Sequence, residues 1–195
     1  ALMNRWGEDI LPEEVAYAME DVPVLGAIVR VITLRNYDQE DETRSLHVQI
    51  PELQGAGEAG EAINEEVSAY VDALLAAFET GCEAGGVRAL DVRYAVVTDA
   101  QDWFTLRVDA TLAAGSSEEI SRFYHIDKRS GARVQLSDLF PEGADYVAAL
   151  SDEVRSQMTA RAEAGENFFP EAFDAIDANQ NFYWGADGAL VLVFD

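Results

Sequence analysis

Lysine is almost absent from this sequence of 195 residues. Its 13 basic residues are twelve arginines and the single lysine Lys128, and they face 37 acidic residues, so the net charge is −24. A surface with this charge repels the phosphate backbone of nucleic acids and the anionic face of a membrane. We therefore expect a protein that binds neither nucleic acid nor an anionic membrane surface.

Cysteine and histidine are also scarce. The one cysteine, Cys82, excludes an internal disulfide framework and a zinc site built from cysteines. His47 and His125 both fall in strand-like segments, and neither has an HExxH motif or a second histidine at helical spacing. We expect all three residues at surface or boundary positions, and we predict no metal ion and no other cofactor.

Recognisable catalytic motifs are missing too. No serine stands in a G-x-S-x-G elbow, and GAGEAG at residues 55–60 lacks the Gly-Lys-Ser/Thr ending of a phosphate loop, so we expect a flexible link there. The spacing of Asp177, Asn179 and Asn181 is that of a calcium loop, but Phe182 replaces its required glycine. The sequence therefore predicts no enzyme, with an unfamiliar active site as the alternative.

Long apolar runs are absent from the whole chain. No stretch approaches the 18 apolar residues of a membrane-spanning helix, and the first ten residues lack the features of a signal peptide. The sequence starts at Ala1 rather than at a methionine, and it ends within the apolar run LVLVFD. We expect that both ends continue in a longer protein.

The periodicity of apolar residues predicts helices and strands. Apolar residues at steps of three and four predict two longer amphipathic helices, over 61–80 and 145–164. Alternating apolar and polar residues predict strands within 35–50, 89–127 and 181–195. Because helices are segregated from runs of strands, we expect an α+β fold with antiparallel sheets packed against the two helices.

Several stretches of the sequence resemble a known family. AYAMEDVPVLGAIVRVITLRNYD at 16–38, with VQIPELQG at 48–55 and INEEV at 63–67, resembles the extracytoplasmic half of RsiV-type anti-sigma factors. FYHIDKRSGARVQLSDLFPEGADYVAAL at 123–150, with NFYWGADGALVLVF at 181–194, resembles a domain of unknown function. These anti-sigma factors share that domain with some peptidoglycan deacetylases.

One motif carries most of the resemblance to that domain. In the family, a strand leads through an aspartate and a glycine turn into a Leu-Ser-Asp-Leu-Phe corner. The matching residues here are Asp127, Gly131, Leu136, Ser137, Asp138, Leu139 and Phe140. Family members often carry a Gly-Gly-Ala-His string and a later segment with proline and tyrosine. This sequence lacks both elements, so any ligand role that they have in the family is not carried over to this chain.

The resemblance implies two parts within one compact unit. Residues 1–88 would form an N-terminal part with a short helix at 11–21, a hairpin and the long helix. Residues 89–195 would form a C-terminal RsiV-like domain that is truncated at its end.

The resemblance also implies a non-catalytic sensor at the bacterial cell surface. A cytoplasmic segment outside this chain would hold the sigma factor, and an upstream helix would anchor the protein in the membrane. Lysozyme is a ligand sensed within this family, and its binding triggers cleavage by signal peptidase. Because lysozyme is cationic, a charge of −24 would attract it over about one Debye length and raise the association rate by about 10–10³-fold.

A candidate cleavage site lies near the start of the chain. Ala16, Tyr17 and Ala18 have the small-x-small form that signal peptidase accepts, although they also suit a plain helix. A packed helix would protect this site until ligand binding favours an open state. Two other functions stay open: a module of a peptidoglycan-active enzyme that binds the cell wall, and a secreted inhibitor of cationic hydrolases.

Overall fold

The computed structural model describes residues 28–41, 43–83, 88–113 and 117–194. These residues fall into two compact units, which meet in the sequence between Val134 and Gln135. The short helix predicted at 11–21 and the candidate cleavage site lie outside the described residues.

The first unit, up to Val134, contains one sheet of six strands. The strands are β1 (Arg30–Glu40), β2 (Arg44–Gln54), β3 (Arg88–Asp99), β4 (Trp103–Ala113), β5 (Ser117–Asp127) and β6 (Ala132–Val134). They lie side by side in the order of the sequence. Every neighbouring pair is antiparallel except β2 and β3, which are parallel.

The parallel pair follows from the long helix α1 (Gly57–Glu83), which connects β2 to β3. A helix of this length returns the chain to the end of the sheet where β2 began, so the next strand runs in the same direction. The sequence predicted only antiparallel pairing, and this one pair corrects that expectation.

Helix α1 begins earlier than its apolar periodicity predicted. The expected flexible link at residues 55–60 is helical from Gly57 onward. Ala56 and Ala59 at this end are buried. A side chain on Gly60 would place its Cβ atom only 2.6 Å from the Cβ atom of Ala56, so the glycine is needed for close packing. The small residues thus let the first turn of the helix pack closely, rather than making the segment flexible.

The core of this unit lies between α1 and one face of the sheet. From α1 it takes residues at steps of four and seven, namely Ile63, Val67, Val71 and Phe78. From the strands it takes alternate residues, including Leu46, Val48, Ile50, Leu90, Val92, Phe104, Leu106, Val108, Tyr124 and Ile126. The alternation that predicted half-buried strands is therefore confirmed.

The second unit, residues 135–194, contains one helix and a small sheet. Helix α2 (Tyr146–Glu163) begins after Asp145, whose carboxylate accepts a hydrogen bond from the backbone N–H of Ala148. A 3₁₀ helix (Leu136–Leu139) precedes it, and the antiparallel strands β7 (Phe182–Trp184) and β8 (Leu190–Leu192) form the predicted hairpin.

A buried serine attaches α2 to the segment before this hairpin. The hydroxyl of Ser151 donates to the carbonyl of Val147 at 2.6 Å and accepts from the backbone N–H of Ile176 at 3.0 Å. Because Ile176 is also buried, this bond fixes the strand-free segment that leads from α2 to β7.

The predicted α+β class is confirmed, with two helices, a mainly antiparallel six-stranded sheet and a small second sheet. The division into residues 1–88 and 89–195 stays a prediction, and the described sheet continues across residue 88 because β3 pairs with both β2 and β4. Among the described residues, no helix is long and apolar enough to cross a membrane.

Candidate ligand-binding surface

The first residues of the family motif build the turn between β5 and β6. The carboxylate of Asp127 accepts hydrogen bonds from the backbone N–H of Arg129 at 2.9 Å and from the hydroxyl of Ser130 at 2.7 Å. Gly131 donates its N–H to the carbonyl of Asp127 and has a φ angle of 71°, which glycine adopts without strain. Asp127 and Gly131 thus shape a turn.

The remaining motif residues form the 3₁₀ helix that opens the second unit. Leu136 is buried, and the carboxylate of Asp138 accepts a hydrogen bond from the backbone N–H of Gln135 at 2.8 Å. Phe140 donates its N–H to Ser137, and its ring stacks on Tyr146 with the centroids 5.2 Å apart. The side chain of Leu139 is partly buried. These contacts give the motif a structural role at this corner.

The single lysine connects two turns of the first unit. The ammonium group of Lys128 donates to the carboxylate of Asp99 and, at 2.9 Å, to the carbonyl of Ala100. Its backbone N–H bonds the carbonyl of Asp102, whose carboxylate pairs with Arg129 at 2.7 Å. Lys128 is buried, so it stabilises the fold and is withheld from ligands. Nothing in the sequence signalled this role.

The two histidines differ in their surroundings. His47 is half exposed, and its Nδ1 atom lies 3.0 Å from a carboxylate oxygen of Asp38. His125 is buried, so the expectation of a surface or boundary position is wrong for this residue. Its Nδ1 atom lies 3.1 Å from the hydroxyl of Thr105, which also accepts the indole N–H of Trp103 at 2.9 Å. Sequence periodicity missed this network because β4 and β5 bring its members together.

A second network joins α1 to β5 and β6. The carboxylate of Glu66 pairs with Arg133 at 2.7 Å and lies 4.0 Å from Arg122, whose guanidinium stacks over the ring of Tyr70. Burial, reinforced by the negative charge of Glu66, raises the pKa of the Tyr124 hydroxyl to about 12. Tyr124 is therefore neutral at physiological pH, and we assign it to packing.

The calcium-like spacing at residues 177–181 does not form a metal site. The carboxylate of Asp177 accepts a hydrogen bond from the backbone N–H of Asn179 at 2.7 Å and so stabilises a turn. Across the ranges that the structure describes, no three acidic, histidine or cysteine side chains come together as a metal ion would need. Cys82 is partly buried at the end of α1.

Negative charge is concentrated in the second unit. Residues 135–194 contain eleven acidic residues and two arginines, a net charge of −9 over 60 residues. The preceding part of the sequence, residues 28–134, has the same net charge spread over 107 residues. The charge density of the second unit is thus nearly twice as high.

Both arginines of the second unit are already engaged. Arg155 pairs with Asp152 at 2.8 Å and donates to the carbonyl of Asp174, while Arg161 donates twice to the carboxylate of Glu166. This interaction lowers the pKa of Glu166.

Eight exposed carboxylates of this unit take part in no ion pair with the described residues, and we call them the acidic surface. They belong to Asp138, Glu142, Asp145, Glu163, Glu171, Asp174, Asp177 and Asp187. Uncompensated charge of this density attracts a cationic protein and repels an anionic one. The sign of the charge follows from composition, whereas the boundary at Gln135 that defines this unit comes from the structure.

Comparisons with known proteins bear on the second unit in particular. Residues 137–195 match a family model described as "Protein of unknown function (DUF3298)". Two solved members of that family are similar in structure. One, from Pseudomonas aeruginosa PAO1, is 13% identical, with 71% of this chain and 68% of that chain covered and a TM-score of 0.48. The other, from Bacteroides fragilis NCTC 9343, is 14% identical, with 81% and 80% covered and a TM-score of 0.48.

The similarity to a curated protein extends over almost the whole chain. The anti-sigma-V factor RsiV of Bacillus subtilis (strain 168) is 29% identical over 193 residues, which cover 93% of this chain and 67% of that protein. The resemblance drawn from the sequence is thereby confirmed. The chain is thus similar to an RsiV-type anti-sigma factor over 93% of its length, and residues 137–195 match the DUF3298 model.

Proposed function

We propose that this chain is the extracytoplasmic sensor domain of a membrane-anchored anti-sigma factor, and that it binds a cationic envelope protein such as lysozyme without catalysing a reaction. The observation that supports this most is the similarity to the anti-sigma-V factor RsiV over 93% of the chain. The sigma factor would be held by a cytoplasmic segment, and a membrane helix would lie upstream. Both lie outside this chain in the proposal.

The acidic surface supports the chemical class of the ligand. At physiological ionic strength the Debye length is about 8 Å, so exposed carboxylates attract a cationic partner mainly in the last steps of encounter. Such attraction raises the association rate and disfavours anionic partners. A net charge of −9 over residues 135–194 therefore favours a strongly basic protein over a neutral one.

Neutralising part of the acidic surface tests this proposal. The variant with Glu142→Gln, Glu163→Gln and Glu171→Gln removes three negative charges from exposed side chains that form no hydrogen bond with described residues. Exposed ion pairs are worth about 0.2–1 kcal/mol each, so we expect the affinity for lysozyme to fall about tenfold. Isothermal titration calorimetry at about 0.1 M salt measures the Kd for lysozyme.

A matched triple variant distinguishes the effect of the acidic surface on affinity from the effect of the total charge of the chain. Glu61→Gln, Glu65→Gln and Glu79→Gln remove the same charge from exposed positions on α1 in the first unit. We expect less than about a twofold loss of affinity here, because exposed charges beyond a Debye length of the interface are screened. Equal losses for the two triples, or no binding by the parent chain, would contradict the proposal.

In this proposal, ligand binding exposes a cleavage site near the start of the chain. Ala16, Tyr17 and Ala18 stay a predicted cleavage site, because they lie outside the described residues. Replacing Ala18 with tryptophan in the full-length protein should abolish cleavage induced by lysozyme, since signal peptidase accepts only small residues there. Immunoblotting of cells would show the loss of the cleavage product. Unchanged cleavage at the same bond would rule out the site.

A further inference from the structure

A phenylalanine of the second unit is exposed to solvent. Phe169 has 68% of its surface accessible, which makes it the most exposed aromatic side chain among the residues that the structure describes. Along residues 155–175, all of which are described, every side chain is exposed or only partly buried. This ring therefore contributes little to the core of its own unit, although leaving it in water is unfavourable.

Three further phenylalanines of this unit are incompletely buried. Phe168 and Phe173 are partly buried, and Phe194 is 43% exposed. The rings of Phe173 and Phe194 meet edge to face, with their centroids 6.1 Å apart. A single exposed apolar side chain is ordinary, whereas several accessible rings with polar residues around them are typical of a protein-binding surface.

Local contacts hold the segment that presents Phe169. Before it, the backbone N–H of Glu166 donates to the carbonyl of Arg161 at 3.0 Å, and the guanidinium of Arg161 lies 4.5 Å from the ring centroid of Phe168. After it, the backbone N–H of Ala172 donates to the carbonyl of Phe169 at 3.0 Å. Because these contacts order the segment in advance, binding at Phe169 costs less conformational entropy than binding to a disordered loop.

The residues that flank Phe169 are acidic. Residues 163–175 include no basic residue and carry a net charge of −4, from Glu163, Glu166, Glu171 and Asp174. Glu166 is already paired, whereas the other three carboxylates are exposed and form no ion pair with described residues. An arginine or lysine side chain fits this combination, because its apolar stem and its charge favour the face of the ring and its charged end favours a carboxylate.

The same charge disfavours other occupants of these rings. A second copy of the chain would bring another −4 to the contact, and an anionic membrane surface would repel the segment as well. A neutral apolar partner would desolvate the carboxylates without offering them a counter-charge, which is costly. The surroundings of Phe169 therefore favour a basic protein.

We propose that Phe169 is the anchor of the interface with the cationic protein partner. An arginine or lysine side chain of that partner lies on the ring of Phe169, and its charged group pairs with Glu171 or Asp174. Binding energy in protein interfaces is concentrated in a few such aromatic residues. This inference rests on the proposed function and deepens it, because it names the residue around which the acidic surface binds and the chemical group that is bound there.

Calorimetric titration of the 195-residue chain with lysozyme at about 0.1 M salt tests the anchor. Phe169→Ala should raise the Kd about tenfold, whereas Phe169→Tyr keeps the ring and should change the Kd less than about twofold. Leu34→Ala removes a 50% exposed apolar side chain from β1 in the first unit and should leave the Kd unchanged. If the parent chain binds lysozyme and Phe169→Ala binds it equally tightly, the anchor is wrong while the proposed function stands.

A tetra-arginine amide tests the anchor even if the chain does not bind lysozyme. In nuclear magnetic resonance on the ¹⁵N-labelled chain, we expect this peptide to shift the backbone amide signals of Glu171 and Asp174 saturably, with a Kd of about 1 mM. Phe169→Ala should weaken this binding at least about threefold, because the cation–π contact is lost, and a tetra-glutamate amide should cause no shift. Equal binding of the arginine peptide by the parent chain and the variant, or no saturable shift up to about 20 mM peptide, would overturn the anchor.

Discussion

The variant Phe104→Ala is expected to lose about 3–5 kcal/mol of unfolding free energy. Phe104 lies on the core face of β4, is 1% exposed and stands opposite Ile126, which is fully buried. Truncation removes the ring from the centre of the sheet and leaves a cavity between strands that pair on both sides, so the core can collapse only partly. Urea denaturation followed by circular dichroism measures the change.

A neighbouring residue on the same sheet provides the control. Val96 on β3 is 44% exposed, so Val96→Ala should cost less than about 1 kcal/mol. Val96 pairs with the core residue Leu106 and so lies on the same face of the sheet, and the two positions differ in burial. If both variants lost similar stability, burial of the Phe104 ring would not be the cause of the loss.

A second large loss is expected from Leu136→Ala, at about 2–5 kcal/mol for the unit of residues 135–194. Leu136 begins the 3₁₀ helix of the family motif and is 2% exposed. If the motif serves packing at this corner, as its contacts indicate, truncation of this side chain removes buried apolar surface and leaves a void. Hydrogen exchange of the amides of α2 reports the stability of this unit separately.

Leu139 in the same motif is the matched control for Leu136. It is only partly buried, so Leu139→Ala should destabilise the unit by clearly less than Leu136→Ala. A neutral Leu136→Ala variant, or one that loses lysozyme binding while its stability is unchanged, would contradict the structural role and assign the motif to ligand contact instead.

The local periodicity of apolar residues was sufficient to predict most of the helices and strands. Steps of three and four between apolar residues such as Ile63, Val67 and Val71 predicted α1, and alternation along β4 predicted a half-buried strand. Parallel pairing of β2 with β3 was missed because it depends on the direction in which α1 returns the chain, which no local pattern contains. The burial of His125 was missed for a related reason, since its partner Thr105 lies on another strand.

The sequence predicted less of the candidate sites than of the fold. It gave the sign of the net charge, because this depends on composition alone. The contact of Lys128 with Asp99 was not predictable, because it depends on β3 and β5 lying on either side of β4. Such juxtapositions follow from the tertiary pairing of strands distant in sequence.

In the proposed function, this domain recognises a cationic envelope protein through its negative charge and does not transform it. The most direct test is a calorimetric titration of the 195-residue chain with lysozyme at about 0.05 M and about 0.5 M salt, with soluble peptidoglycan fragments titrated in parallel. We expect a 1:1 complex at low salt whose Kd rises at least about tenfold at high salt, because salt screens exposed charges. Failure to bind lysozyme at either salt concentration, or binding of the peptidoglycan fragments alone, would contradict it.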